Sequence, residues 1–175
     1  MGIAGNQVNP DRQPTDLYPT EAPWTRALLN VVDVRGPIWE PACGLGHMVD
    51  VLREEGHEVN DTDILTGTDF LEETEPWEGA IVTNPPYKLL TPFIDKALEL
   101  ATTQVAFLLQ VGALGGPVRY EHLWKERTPN QLIHVARRMR VYDKVSQFCH
   151  IWVVWDKENP VKLGDTKFTW ELGKY

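Results

Sequence analysis

Apolar positions along this chain fall into two kinds of block, continuous runs and helically spaced sets. Ile38-Trp39-Glu40, Ala80-Ile81-Val82 and Val105-Ala106-Phe107-Leu108-Leu109 are short runs, dominated by apolar residues. Runs of that length predict strands covered on both faces, as in a parallel sheet. Between them the period changes. Trp24, Ala27, Leu28 and Val31 recur at helical spacing, and Thr20-Glu21 with Pro23 supplies a helix start. Met48, Val51 and Leu52 form the inner face of a second helix, with Gly56 as its C-terminal stop. Positions 89, 90, 93, 94, 97, 98 and 101 are apolar and define an amphipathic third helix. Gly56 to Ile64 predicts another strand. Gln131–Ala136 and Phe148–Trp155, joined by a polar turn around Asp143 to Gln147, predict an antiparallel hairpin. Lys167-Phe168-Thr169-Trp170 predicts an edge strand, and no function attaches to the tail from Lys157 to Tyr175. The fold class is α/β: Rossmann-like, doubly wound, with a mostly parallel sheet ending in an antiparallel hairpin. Residues 1–15 predict a flexible arm and residues 16–175 a single domain.

Composition narrows the class. A chain of 175 residues, 42% hydrophobic and with seven Trp, can bury a sizeable core. No stretch approaches 18 uninterrupted apolar residues, so no membrane span is expected. The polar stretch Met1 to Pro14 lacks the apolar region of a secretory signal. The two cysteines, Cys43 and Cys149, predict reduced thiols of a cytoplasmic protein. No Cys/His cluster has zinc spacing, and no metal is expected. A net charge of −8 argues against a nucleic-acid partner until its distribution is considered. Residues 1–118 carry 6 Lys/Arg against 18 Asp/Glu, whereas residues 119–144 carry 7 basic against 3 acidic residues. An acidic body with one basic segment can present a positive face to phosphates.

The chemistry centres on Thr83-Asn84-Pro85-Pro86-Tyr87, which follows the run Ala80-Ile81-Val82. Two prolines end that strand, because neither can donate a ladder hydrogen bond and each restricts its predecessor. An amide and an aromatic ring are thereby held at a strand's C-terminal end, where open α/β sheets bind ligands. Carbonyl acceptors, an amide and a flat ring suit a planar group carrying an NH2. Upstream, Glu40-Pro41-Ala42-Cys43-Gly44-Leu45-Gly46 joins strand to helix, and its glycines allow backbone to approach a ligand. It is not the Gly-x-Gly-x-x-Gly of dinucleotide enzymes. About twenty residues on, a strand-end carboxylate can accept both hydroxyls of a ribose, with Asp63 the first candidate and Asp61 the second.

Together these motifs resemble the S-adenosylmethionine-dependent amino-methyltransferases, and most closely the small phage or prophage DNA adenine-N6 methyltransferases. The resemblance covers about residues 16 to 156. It implies the class I methyltransferase fold, S-adenosyl-L-methionine as cofactor, and a flipped adenine of DNA as substrate. Asn84, Pro85, Pro86 and Tyr87 match the catalytic turn, and Asn84 also borders the cofactor. Tyr18 and Thr20 match the segment that packs against the cofactor's methionine part. Glu40, with Pro41, Ala42, Cys43, Gly44 and Gly46, matches the turn around its cationic amino-acid end. Asp69 and Phe70 match the pair that contacts the adenine amino group and ring of the cofactor.

Val111 to Asn130 interrupts the strand–helix pattern with Gly112, Gly115, Gly116, Pro117 and Pro129. Aromatic and basic residues alternate within it, which suits a substrate-facing insert over 111–130. A helix covering the sheet, with Tyr120, Leu123 and Trp124 inward, fits the same residues. Lys88, Arg119, Tyr120, Lys125, Arg137, Arg138 and Arg140 are the candidate substrate contacts. His134 and His150 are expected to be structural. No separate target-recognition domain is expected, so sequence preference should be relaxed or short. Two rival readings remain: methylation of RNA adenine or of a protein glutamine, and a cofactor- or DNA-binding module without turnover.

Overall fold

The computed structural model describes residues 19–141, 144–146 and 148–172. The expected arm (1–15) and Tyr18 lie outside them. A seven-stranded sheet runs through the molecule, its strands lying side by side in the order Val59–Asp61, Ile38–Glu40, Ala80–Thr83, Gln104–Gln110, His150–Asp156, Gln131–Val135, Lys167–Glu171. Strands β1 (Ile38–Glu40), β2 (Val59–Asp61), β3 (Ala80–Thr83) and β4 (Gln104–Gln110) are mutually parallel neighbours. Strand β8 (His150–Asp156) runs antiparallel between β4 and β5 (Gln131–Val135). Strand β9 (Lys167–Glu171) closes the edge, parallel to β5. β6 (Arg140–Val141) and β7 (Lys144–Val145) form a separate two-stranded hairpin.

Three helices pack on the sheet. α1 (Ala22–Leu29) turns Trp24, Ala27 and Leu28 inward, and α2 (His47–Glu54) turns Met48, Val49, Val51 and Leu52 inward. Both cover the face that carries Ile38, Ala80, Val82 and Trp152. They are tied together by Arg26, whose guanidinium meets Glu54 at 2.8 Å and Glu55 at 2.9 Å. α3 (Leu90–Leu100) covers the other face, where Leu90, Phe93, Ile94 and Ala97 meet Trp39, Ile81 and Phe107. The central strands are buried on both faces, which is why they read as unbroken apolar runs.

The local expectations need three adjustments. The strand expected over 56–64 holds only at Val59–Asp61. Beyond it Asp63 caps a short 3₁₀ turn, Ile64–Thr66, by accepting the Leu65 N–H at 2.8 Å, a local bond that competes with the ladder. By contrast, the helix start expected at Thr20-Glu21 with Pro23 holds, with Glu21 as the cap of α1 and Pro23 in its first turn. The link between β5 and β8 is no simple turn, because it contains the β6–β7 hairpin. In the 111–130 insert, α4 (Pro117–Arg119) continues as a wide π turn over Tyr120–Trp124. Leu123 and Trp124 are buried there, as the covering-helix reading expected, but Tyr120 points out and is 42% exposed.

Parallel β1 has β2 on one side and β3 on the other, so the strand order reverses direction between β1 and β3. A crevice opens at such a switch point, outside the C-terminal ends of the two strands.

Candidate active site

The crevice between the ends of β1 and β3 is the candidate site. Its lining includes Thr20, Glu40, Pro41, Ala42, Cys43, Gly44, Asp63, Asp69, Phe70, Asn84, Pro85, Pro86 and Tyr87. Most of the residues expected around cofactor and catalysis therefore converge, from four separate stretches of chain. Gly46 does not line it but starts α2 at φ +81°, with open space where a side chain would stand.

The floor is built by backbone. Gly44, at φ +53°, directs its N–H onto Asp63 Oδ2 at 2.8 Å. The other carboxylate oxygen accepts from Leu65. Asp63 thus clamps the glycine turn after β1 to the segment after β2, and it is only 6% exposed. Asp61, the second candidate for the ribose acid, is exposed and ion-paired with Arg53, and it does not line the crevice. Glu40 is buried behind the turn, its Oε1 accepting the Ala42 N–H at 3.3 Å. Burial pushes its carboxyl up to about 8, and the nearby Asp63 and Asp61 charges act in the same direction. Burial and the same acidic neighbours push the Cys43 thiol up to about 11, so it is no thiolate nucleophile at neutral pH. Cys43 and Cys149 are both free.

The residues of the expected catalytic turn sit opposite. Asn84 directs Nδ2 to Thr20 Oγ1 at 3.1 Å, and Tyr87 Oη donates to Asn84 Oδ1 at 3.3 Å. The Tyr87 ring leans toward buried His150, with centroids 6.4 Å apart. Burial holds the His150 imidazole down at about 4, neutral at physiological pH, which fits the structural role expected for it. Asp69 caps its own turn through the Leu71 N–H at 2.9 Å, and Phe70 packs edge-on to Trp39 at 5.2 Å.

Sequence reasoning missed the rim. Leu45, Ile64 and Leu65 line the crevice, yet each is more than 60% exposed. Large apolar side chains left wet around a concave site suit an apolar, flat ligand. The only sequence signal for Ile64 and Leu65 was an apolar pair straight after an acid in an otherwise polar segment, and Leu45 had only its place between two glycines.

None of the seven candidate substrate contacts lines the crevice. Lys88 is exposed beside Tyr87. Arg119 reaches the Ala113 carbonyl at 3.5 Å, Tyr120 faces outward, and Lys125 pairs with Glu121 at 2.8 Å. The segment carrying Arg137, Arg138 and Arg140 follows β5. Because β5 runs antiparallel to β8, which runs antiparallel to β4, the C-terminal ends of β5 and β4 share one edge of the sheet. That edge also carries Asn84, at the end of β3. Among the described residues there is no cluster of His, Cys, Asp or Glu that could hold a metal, and no helix long and apolar enough to cross a membrane.

No family model and no curated protein matches the chain. Solved structures do. A class I S-adenosylmethionine-dependent methyltransferase of Listeria monocytogenes superposes with a TM-score of 0.58 at 13% identity, over 96% of this chain and 68% of the other. A Pyrococcus horikoshii protein described as an RNA methyltransferase gives 0.53 at 16% identity, over 86% and 93%. A dimethyladenosine transferase of Plasmodium falciparum gives 0.51 at 14% identity, over 79% and 63%. At such identities the likeness is one of fold. The fold is that of the class I methyltransferases, as the sequence motifs implied.

Proposed function

We propose that this protein transfers a methyl group from S-adenosylmethionine to the exocyclic N6 amino group of adenine in DNA, as the phage-type enzymes it resembles do. The observation that carries the reading is the meeting of two motifs in one crevice. Asn84, Pro85 and Tyr87 at the end of β3 face the Gly44–Asp63 clamp at the end of β1. The crevice also fits the cofactor: a buried carboxyl at Glu40 for a cationic amino group, a carboxylate at Asp63 for hydroxyls, and an apolar rim for a flat base.

S-adenosylmethionine supplies an electrophilic methyl group on a sulfonium. The chain's own part is to hold and polarise the acceptor. An aromatic amine is a poor nucleophile because its lone pair is delocalised into the ring. Asn84 Oδ1 and the Pro85 carbonyl accept its two N–H bonds and stabilise the positive charge that grows on nitrogen. Thr20 holds Nδ2, so the amide presents its oxygen. Tyr87 leaves Asn84 Oδ1 and stacks on the base, partly offsetting the few kcal/mol needed to flip it out of a duplex. Holding nucleophile and methyl in line provides much of the remaining acceleration. The proton leaves to water, since among the described residues no side chain of the crevice is placed as an evident base. The basic segment after β5 lies on the edge where a phosphate backbone would pass. The free cysteines accord with a cytoplasmic setting.

RNA adenine is the second reading, favoured by the names of the Pyrococcus and Plasmodium neighbours. The test is labelled methyl transfer to unmethylated DNA and to RNA, with nucleosides identified, beside Asn84→Ala. N6-methyladenine from DNA that disappears in the variant is the expected result. Label only in RNA or in a protein glutamine would move the substrate, and cofactor binding without transfer to any acceptor would overturn the enzymatic reading.

A further inference from the structure

Strand β9 is the outer edge of the sheet, and its exposed side is unusually apolar for an edge. Phe168 is 51% exposed and Trp170 is 67% exposed. Their rings pack edge to face 5.5 Å apart, and Trp170 also packs on His134 at 4.5 Å. Edge strands of monomers are commonly blunted by prolines, bulges or charged side chains, and β9 carries its charges, Lys167 and Glu171, only at its ends. Lys167–Glu171 has no proline, and its register with β5 runs unbroken over five residues.

The hydrogen-bond parity of the strand shows which groups are free to pair. The Lys167 N–H donates to the Asn130 carbonyl and the Glu171 carbonyl accepts from Ala136. In a parallel ladder alternate residues direct both backbone groups to the same neighbour. Lys167, Thr169 and Glu171 therefore face β5, and Phe168 and Trp170 present N–H and C=O outward. Among the described residues nothing bonds to those outward groups.

We propose that β9 is a homodimer edge, pairing antiparallel with β9 of a second copy about a two-fold axis at Thr169. In that register Phe168 of each copy exchanges both backbone hydrogen bonds with Trp170 of the other. The aromatic rings then lie side by side on one face. On the other face Lys167 stands opposite Glu171 of the second copy, twice by symmetry. The strand Lys-Phe-Thr-Trp-Glu is complementary to its own reverse in charge and in size. A shift of the axis to Phe168 keeps the backbone pairing but sets Asp165 opposite Glu171, two carboxylates facing each other, which is unfavourable. Charge therefore disfavours that register, and the Thr169 register is the one that sets Lys167 opposite Glu171 in an isologous interface. Because the paired strands run in opposite directions, the two crevices open on opposite edges of the joined sheet, and neither needs the other.

The test is sedimentation velocity of the full chain across micromolar concentrations, for the native protein, Lys167→Glu, Glu171→Lys, and an equimolar mixture of the two variants. The native chain is expected to be a dimer. Each single reversal sets like charges opposite each other twice and should weaken association by about tenfold or more. The mixture should restore a heterodimer, since the variants are complementary to each other. Thermal melts run alongside confirm that each variant is folded. A native chain that stays monomeric overturns the proposal. So does a dimer indifferent to both reversals, or two monomeric variants that fail to recombine.

Discussion

Asn84 and Thr20, 64 positions apart in sequence, are joined by a hydrogen bond of 3.1 Å from the amide Nδ2 to the hydroxyl Oγ1. Thr20 is 5% exposed, so water cannot readily replace it. An amide has two faces, and only its oxygen can accept from an amino substrate. By holding the nitrogen, Thr20 decides which face the crevice sees. Thr20→Val keeps the shape and removes the acceptor. It is expected to lower the single-turnover methylation rate about tenfold, the worth of one buried hydrogen bond. Thr20→Ser should retain most of the rate. Equal losses in both would mean that Thr20 matters for packing alone.

Asp63 and Asp61 competed in the sequence as the ribose-binding acid, and their surroundings now separate them. Asp63 holds the Gly44 and Leu65 N–H groups within the crevice, while Asp61 pairs with Arg53 outside it. Asp63→Asn turns an N–H toward one of those donors and removes a charge. Cofactor affinity is expected to fall at least tenfold in calorimetry. Asp61→Asn should change it by less than about twofold, as for an exposed ion pair. The reverse ranking would reassign the role.

The contrast shows what a single sequence can carry. Strands β1, β3 and β4 were legible because burial on both faces leaves unbroken apolar runs. The turn at Asn84 was legible because prolines act locally on their own dihedrals. Whether Asp61 or Asp63 lines the crevice depends on where β2 ends, and it ends at Asp61, because Asp63, inside the predicted strand, caps the turn that follows instead of pairing in the ladder. The apolar rim at Leu45, Ile64 and Leu65 was invisible for another reason. An exposed hydrophobe reads like a core residue until its surroundings are known. Only the covering-helix reading placed Tyr120 inward, and it missed because a π turn shifts the facing of each side chain relative to regular helical spacing.

Gly79 gives a test of the scaffold independent of any ligand. A Cβ added there would stand 2.0 Å from the Pro37 carbonyl oxygen and 2.9 Å from Trp77 Nε1. The carbonyl cannot yield easily, because it accepts the Ala80 N–H at 3.0 Å where β1 meets β3. Gly79→Ala is expected to cost about 3 kcal/mol or more, beyond ordinary overpacking because backbone itself must move. Chemical denaturation would measure it. Gly164→Ala is the control: it too is strained, at φ +99°, but meets nothing within 4 Å and should cost only about 1–2 kcal/mol.

Two buried groups give the unliganded protein opposite pH dependences, which cancel where they overlap between pH 4.5 and 6.5. His150 is held neutral, down at about 4 against an ordinary 6.5. Between those values the unfolded chain binds more protons than the folded one, so stability falls as pH drops through that window. Glu40 is the opposite case, raised to about 8 against an ordinary 4.5. There the folded protein binds more protons, so stability falls as pH rises from 4.5 to 8. Each arm has a slope of at most about 1.4 kcal/mol per pH unit. Thermal melts from pH 4 to 9 should show a plateau between about 4.5 and 6.5 and an alkaline arm above it; His150→Phe should extend that fall down to pH 4.5, and Glu40→Gln should abolish it and leave stability rising up to pH 6.5. An alkaline arm that persists in Glu40→Gln would place its origin elsewhere. Cofactor binding adds a linked effect. A cationic amino group beside Glu40 stabilises its ionised form, so binding below pH 8 should release up to one proton. Calorimetry in two buffers of different ionisation enthalpy would detect that release, and Glu40→Gln should abolish it together with most of the affinity.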